Sequence, residues 1–211
     1  MGLAMALCIL AKTRTLFREV IHLLRQVPAR PRGHLRSAPA SDTVDAVAPV
    51  VSVDDLITRD TTPELTGNVD DPTATVVVTI NNISYTATNN GDGTWTLADD
   101  TVDALAEDSY STTVTATDTD GNSASNIGTV VIDQTAPAAP TIDAGNGTVI
   151  TGTAEANAVV DVDIDGDGTP DLTTTADGDG NWSVTPDTPL ADGTEVTATA
   201  TDAAGNTSTP A

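Results

Sequence analysis

The sequence predicts an all-β chain, two antiparallel sandwiches in series, and three observations carry that expectation. The composition suits short strands and turns: Thr, Val, Ala and Asp abound, with 16 Gly, 12 Pro and 2% aromatics in 211 residues. Short runs of alternating character follow one another at the eight-to-twelve-residue spacing of a sandwich, with turn residues between them. The chain also repeats itself after Ala48, with matching segments 84 to 87 residues apart.

The repeat is read from four matches. Thr66-Gly67 matches Thr151-Gly152, Gly93-Thr94-Trp95 matches Gly180-Asn181-Trp182, and Leu105-Ala106 matches Leu190-Ala191. The strongest is Val114-Thr-Ala-Thr-Asp118-Thr-Asp-Gly121-Asn122-Ser against Ala198-Thr-Ala-Thr-Asp202-Ala-Ala-Gly205-Asn206-Thr. The first copy offers seven strand-like runs, 50–53, 65–69, 75–80, 83–88, 94–98, 110–118 and 125–132. Along the sixth, Tyr110, Thr112, Val114 and Ala116 alternate with Ser111, Thr113, Thr115 and Thr117, so one face can be buried while the other is a threonine ladder in water. The second copy places Thr194, Val196, Ala198 and Ala200 inward in the same way. Trp95 and Trp182 each follow a Gly-containing turn, and a lone Trp inside an alternating strand is expected to anchor the core rather than stack on a sugar.

The first segment is of another kind. Residues 2–11 are ten apolar or small residues, half of the about 20 that a membrane-spanning helix needs. A secretory signal carries its cations before the apolar run, whereas Lys12, Arg14, Arg18, Arg25, Arg30, Arg32 and Arg36 all follow it, although Ala38-Pro39-Ala40 loosely resembles a cleavage site. Apolar residues at helical spacing over 12–27 suit either a short basic amphipathic helix or, the stronger reading, an unpacked and disordered leader, and 28–47, with Pro28, Pro31 and Pro39, reads as a disordered linker. The expected organisation is therefore 1–47 basic leader and disordered linker, 48–134 a first sandwich, and 135–211 a second, incomplete one.

Several segments of the second copy carry a resemblance: Thr151-Gly-Thr-Ala-Glu155, Asp179-Gly-Asn-Trp182, Leu190-Ala-Asp-Gly193 and Ala198-Thr-Ala-Thr-Asp202-Ala-Ala-Gly-Asn206, together with the connecting Val131-Ile-Asp133-Gln-Thr-Ala-Pro137. With them the chain resembles, over about residues 48–211, the bacterial Ig-like domains that recur in tandem in large secreted adhesins and RTX-type surface proteins. The resemblance implies Ig-like sandwiches forming rods at the cell surface, often with calcium at the junctions, and adhesive ends elsewhere in the chain. One departure stands out. Asp133 closes the first copy, and its counterpart would fall beyond Ala211, so after its last turn the second copy has only residues 207–211 and lacks most of its last strand. A missing strand leaves its neighbour with an unpaired edge, which points to a piece of a longer array.

Charge narrows the function. The net charge of −23 is an average: residues 42–211 hold 30 acids against one base, Arg59, a net of −29. Such a region does not bind nucleic acid or insert into an anionic membrane. The histidines, His22 and His34, and the single cysteine, Cys8, lie in the first segment, so the acidic region lacks the parts of a nucleophile–histidine system, a zinc site or a Schiff-base lysine. No enzyme is expected, and carboxylates remain as the chemistry.

In an up-and-down run of strands, alternate turns gather at the pole where the chain comes in. The incoming pole of the first copy then collects Asp70, Asp71, Asp92, Asp118 and Asp120, and that of the second Glu155, Asp177, Asp179 and Asp202, with Asp133 pointing at the latter group. Converging like charges repel by about 4 kcal/mol per pair at 4 Å and intermediate dielectric; Ca²⁺ takes such hard oxygen clusters with six to eight ligands. Calcium is therefore expected at the 133–140 junction, held chiefly by Asp133 and Asp202, with Glu155, Asp177 and Asp179 as further ligands. A second calcium candidate is local. Asp163, Asp165, Asp167 and Asp171, with Gly168 where the loop must turn, follow the spacing of a calcium loop, but Thr174 stands where a bidentate glutamate would close it. The competing reading is a solvated Asp-Gly turn, which is the expectation for 90–93 and 177–180.

The function these features predict is a calcium-stiffened spacer of a secreted or cell-surface bacterial adhesin, its partners being neighbouring Ig-like repeats in a longer chain. The alternative is an Ig-like module that binds a glycan, a host protein or a biofilm surface ligand, for which the few aromatics leave little stacking surface.

Overall fold

Strands form where the sequence alternates, because successive side chains on a strand point to opposite faces and one face can leave water. The computed structural model describes residues 45–211; the expectations for the apolar run, the basic helix and most of the 28–47 linker lie outside the described residues. Among the described residues every regular element is a strand. The first copy forms β1 (Leu56–Thr58), β2 (Leu65–Asn68), β3 (Thr75–Ile80), β4 (Ile83–Asn89), β5 (Thr94–Leu97), β6 (Asp108–Thr117) and β7 (Ser123–Ile132), in the order β1-β7-β6-β3-β4-β5-β2.

That continuous order folds over into two layers because β4 changes partner. Residues 83–87 pair with β3, and Thr88 and Asn89 then pair with Thr96 and Trp95 of β5. The chain before β2 makes the reverse crossing. Val51 bridges to Val69 and Ser52 exchanges backbone bonds with Asn68; after Asp54-Asp55 the chain reaches the other layer, where β1 runs parallel to β7, Leu56 opposite Val130 and Thr58 opposite Ile132. The expected first strand at 50–53 is thus only the part that lies beside β2, and the strand proper, β1, follows the crossing and falls beyond those bounds. Val76, Val78, Ile80, Val114, Ala116, Val130 and Ile132 of one layer meet Leu65, Val69, Trp95 and Leu97 of the other, and each such buried aliphatic or aromatic side chain contributes about 1.5–3 kcal/mol. The outer face of β6 is the expected hydroxyl ladder: Thr115 and Thr117 bond Ser125 and Ser123 across to β7.

The second copy forms β8 (Ile150–Thr153), β9 (Val159–Asp163), β10 (Leu172–Thr175), β11 (Asn181–Val184) and β12 (Thr197–Thr201), with β10-β9-β12 as one layer and β11-β8 as the other. Its core is smaller, centred on Ile150, Val160, Val162, Trp182 and Ala198. Beyond β12 the chain turns back: Thr207 bridges to Thr201, Ser208 N–H donates to Ala200 O at 2.8 Å and Ala211 N–H to Ala198 O at 2.9 Å. These five residues lie where β7 lies in the first copy. Thr194 departs from the expected inward pattern. It is exposed in a turn, its N–H and hydroxyl both donating to Ala191 O, and the strand begins only at Thr197.

Both tryptophans are buried, as their place in alternating strands predicts. Trp95 lies opposite Gly67 and Trp182 opposite Gly152. A Cβ on either glycine would collide with the indole and with the carbonyl of the strand beyond, Ser52 or Thr141, which explains why Thr-Gly recurs in the two copies. The indoles differ in one bond: Trp95 Nε1 donates to Ser52 O at 2.8 Å, whereas Trp182 Nε1 is buried without a partner.

Candidate functional site

The two copies differ in the β3–β4 connection and its counterpart, β9–β10. In the first, Asn81-Asn82 at φ 49° and 64° turn the chain in two residues. In the second, residues 164–171 intervene between β9 and β10 as an acidic loop inside a hairpin. Asp163, at the end of β9, organises it: Oδ1 accepts from the N–H groups of Gly166 (2.6 Å) and Asp165 (3.1 Å), and Oδ2 from Gly168 (2.9 Å). The backbone donors of Gly168 and Gly166 hold its carboxyl below the usual aspartate range. Asp171 closes the loop by accepting from Ile164 N–H at 2.9 Å. One carboxylate oxygen from each of Asp163, Asp165 and Asp171 lies within 4.8 Å of the others, a spacing that one ion with ligands at 2.3–2.6 Å can span. An all-oxygen set of this kind fits Ca²⁺ by chemistry. Asp167 turns to Thr169 instead, accepting from its N–H at 2.8 Å, and Thr174 sits in the β10 ladder opposite Val160, away from the loop.

The turns at the incoming poles share another device. In Asp118–Asn122, Asp177–Asn181 and Asp202–Asn206 the Asp N–H donates to the Asn carbonyl, and the Asn N–H returns a bond to the Asp carboxylate at 2.8 Å. The Asn side-chain amide also donates to the Asp carboxylate, at 2.7, 3.4 and 2.9 Å in turn. Carboxylates used in this way face their own turn. Asp71 likewise accepts from Thr73 N–H and Asp92 from Thr94 N–H, whereas Asp70 accepts from Val50 N–H of the incoming chain.

At the 133–140 connection the amide of Asn206 reaches two partners, Asp202 Oδ2 at 2.9 Å and the main-chain carbonyl of Asp133 at 2.8 Å. The Asp133 carboxylate caps its own turn, accepting from Thr135 N–H, and Glu155 closes the Ala158 turn through its backbone. Asp179 N–H donates to the Asp177 carboxylate. Among the described residues Asp163, Asp165 and Asp171 form the one group of three acids within mutual ligand reach, and Asp133, Glu155, Asp177, Asp179 and Asp202 lie outside it.

Residues 36–134 match the family described as bacterial Ig-like domain, and residues 136–211 match the bacterial Ig domain family. The chain carries two bacterial Ig-like domains in tandem.

Among solved structures, the fibronectin(III)-like modules of Clostridium thermocellum CbhA share 15% identity over 77% of this chain and 90% of theirs, with a TM-score of 0.46. A bacterial ice-binding adhesin described for host cell surface retention is 18% identical over 79% of this chain, TM-score 0.36. A Ca²⁺-stabilized, ice-binding adhesin of an Antarctic bacterium is 24% identical over 79%, TM-score 0.35. The chain spans 65% of the first adhesin chain and 48% of the second. No curated protein matches it.

The sequence reading missed the asparagines of the two Ig-like domains. Asn206 and Asn122 reach from a turn to the chain that leads into their own domain, Asn122 donating to Asp45 O at 3.1 Å. The signal is present, since Asp-x-x-Gly-Asn occurs three times, but a five-residue motif does not say which distant main-chain carbonyl its amide meets. Asp202 is the most enclosed of these carboxylates: burial pulls its pKa up, yet the side-chain and backbone donors of Asn206 outweigh it and leave the group below the ordinary value.

Proposed function

We propose that the tandem Ig-like domains act as an acidic, calcium-stiffened spacer of a secreted or cell-surface bacterial adhesin, set among neighbouring Ig-like repeats of a longer chain. The observation that carries the calcium reading is the convergence of Asp163, Asp165 and Asp171 in the β9–β10 loop. On this reading these three hold one ion with Asp167 beside them. A second ion belongs to the junction, where Asp133 and Asp202 meet through Asn206 and Glu155, Asp177 and Asp179 supply further carboxylates. Calcium supplies positive charge and fixed oxygen geometry there, and its binding free energy adds to folding. The spacer reading is supported by two sandwiches joined in series and by the lack of His, Cys and Lys in residues 42–211.

The test is a thermal melt and small-angle scattering of the full chain with calcium and with chelator. At a hundredfold excess over Kd a single site adds about 2.7 kcal/mol, which raises the melting temperature of an Ig-sized domain by about 11–22 °C. Asp163→Asn with Asp165→Asn removes the part of that rise due to the loop. A melting temperature and a maximum dimension that ignore calcium sink the proposal.

A further inference from the structure

The bonds around the 133–140 connection close into a ring. Asp133 N–H donates to Thr58 O of the first domain at 2.9 Å, and its C=O accepts from Asn206 of the second at 2.8 Å, so one residue is fastened to both domains. The next peptide N–H after Thr58, that of Arg59, donates to Ala204 O in the Asp202–Asn206 turn at 3.3 Å. Asn206, 7% exposed, completes the circuit through Asp202 Oδ2. Thr135 ties the following residue pair back to the first domain through a hydroxyl bond to Glu107, and Pro137 and Pro140 are buried beyond it.

We infer that Asn206 is the positioning residue that sets the angle between the two Ig-like domains, through a hydrogen-bonded clamp that needs no metal. A nearly buried amide bonded to a main-chain carbonyl and a carboxylate has little freedom to let go, because release leaves both acceptors without a donor in a partly dry site. Two comparisons within the molecule separate this role from the ordinary work of the turn. Asn181 makes the same contacts to Asp177 but is exposed, and its side chain bonds no residue of the first domain. Asn122, in the first domain, repeats the full device and grips the Asp45 carbonyl as Asn206 grips that of Asp133. The reach to the incoming main chain is thus present in both last turns and is a feature distinct from the Asp-Asn pairing itself.

The experiment uses the full chain in chelator, on a Cys8→Ser background, with spin labels at Asp99→Cys and Asp187→Cys, both on exposed residues. A pulsed-resonance distance distribution with a single narrow peak is expected. Asn206→Ala should broaden it about twofold, and Asn181→Ala should leave it as narrow as the parent. Arg59→Pro removes the strut to Ala204 from the first-domain side and should broaden the peak while the amide spectrum of the second domain persists, which keeps the test decisive if Asn206→Ala does not fold. A peak as narrow in Asn206→Ala and Arg59→Pro as in the parent, or an already broad parent peak, overturns the inference. Because calcium is absent throughout, this outcome is independent of the calcium reading.

Discussion

At the scale of single residues, two side chains that are equivalent by sequence are not equivalent by bonding. Trp95 and Trp182 were legible as core anchors because each stands at an inward position of an alternating strand. Their indole nitrogens were not, since a bond to Ser52 O depends on how the strand before β1 crosses between layers. The difference has a measurable consequence. Trp95→Phe removes a made hydrogen bond and should cost about 1–2 kcal/mol from that bond alone, whereas Trp182→Phe removes a buried N–H with no partner and should cost less. Urea unfolding followed by domain-resolved NMR peaks checks the order, and an equal or larger loss in Trp182→Phe contradicts it.

At the scale of elements, the last six strands of the first domain were readable to within a residue or two because period-two alternation is a local property, whereas the first, expected at 50–53, gave way to β1 at Leu56–Thr58 where the chain crosses layers. The poles were not readable, because a strand diagram brings acids to one end without saying which donors they meet. Asp118, Asp177 and Asp202 spend their oxygens on the Asn four residues on, and the loop at 163–171 was recognised because its spacing is local too. The turns predict a pH response. Asp92 is held low by the Thr94 hydroxyl, Asp118 by the Asn122 amide, Asp163 by Gly168 N–H and Asp177 by Asn181 N–H, while in Asp202 the Asn206 donors prevail over burial. A carboxyl depressed by folding stabilises above its unfolded pKa, about 3.9, and that contribution is lost as pH falls through the lower folded value. In chelator the melting temperature should stay level from about pH 7 to 5 and decline below about pH 4. A melting temperature that climbs from pH 4 to 2 is inconsistent with these turns.

For the whole molecule, charge and connection act together. A region of net −29 repels itself, and salt screens exposed charges over about 10 Å at 0.1 M, so sodium chloride should raise the melting temperature in chelator between low salt and about 0.5 M. No rise would mean that the acids lie too far apart, or too well bonded in their turns, to matter to stability. The overall architecture was legible in the repeat itself, whereas the ring at the junction joins residues from Thr58 to Asn206, a separation at which no local pattern speaks. In the proposed spacer role the chain is also a part that is pulled. In the first domain β1 runs parallel to β7, with Leu56, Ile57 and Thr58 opposite Val130, Val131 and Ile132. Tension applied through the two ends of that domain drags these neighbours past each other along their length, so their ladder bonds share the load instead of opening one at a time. Resistance to a tug then comes from a three-residue strand that adds little to the core.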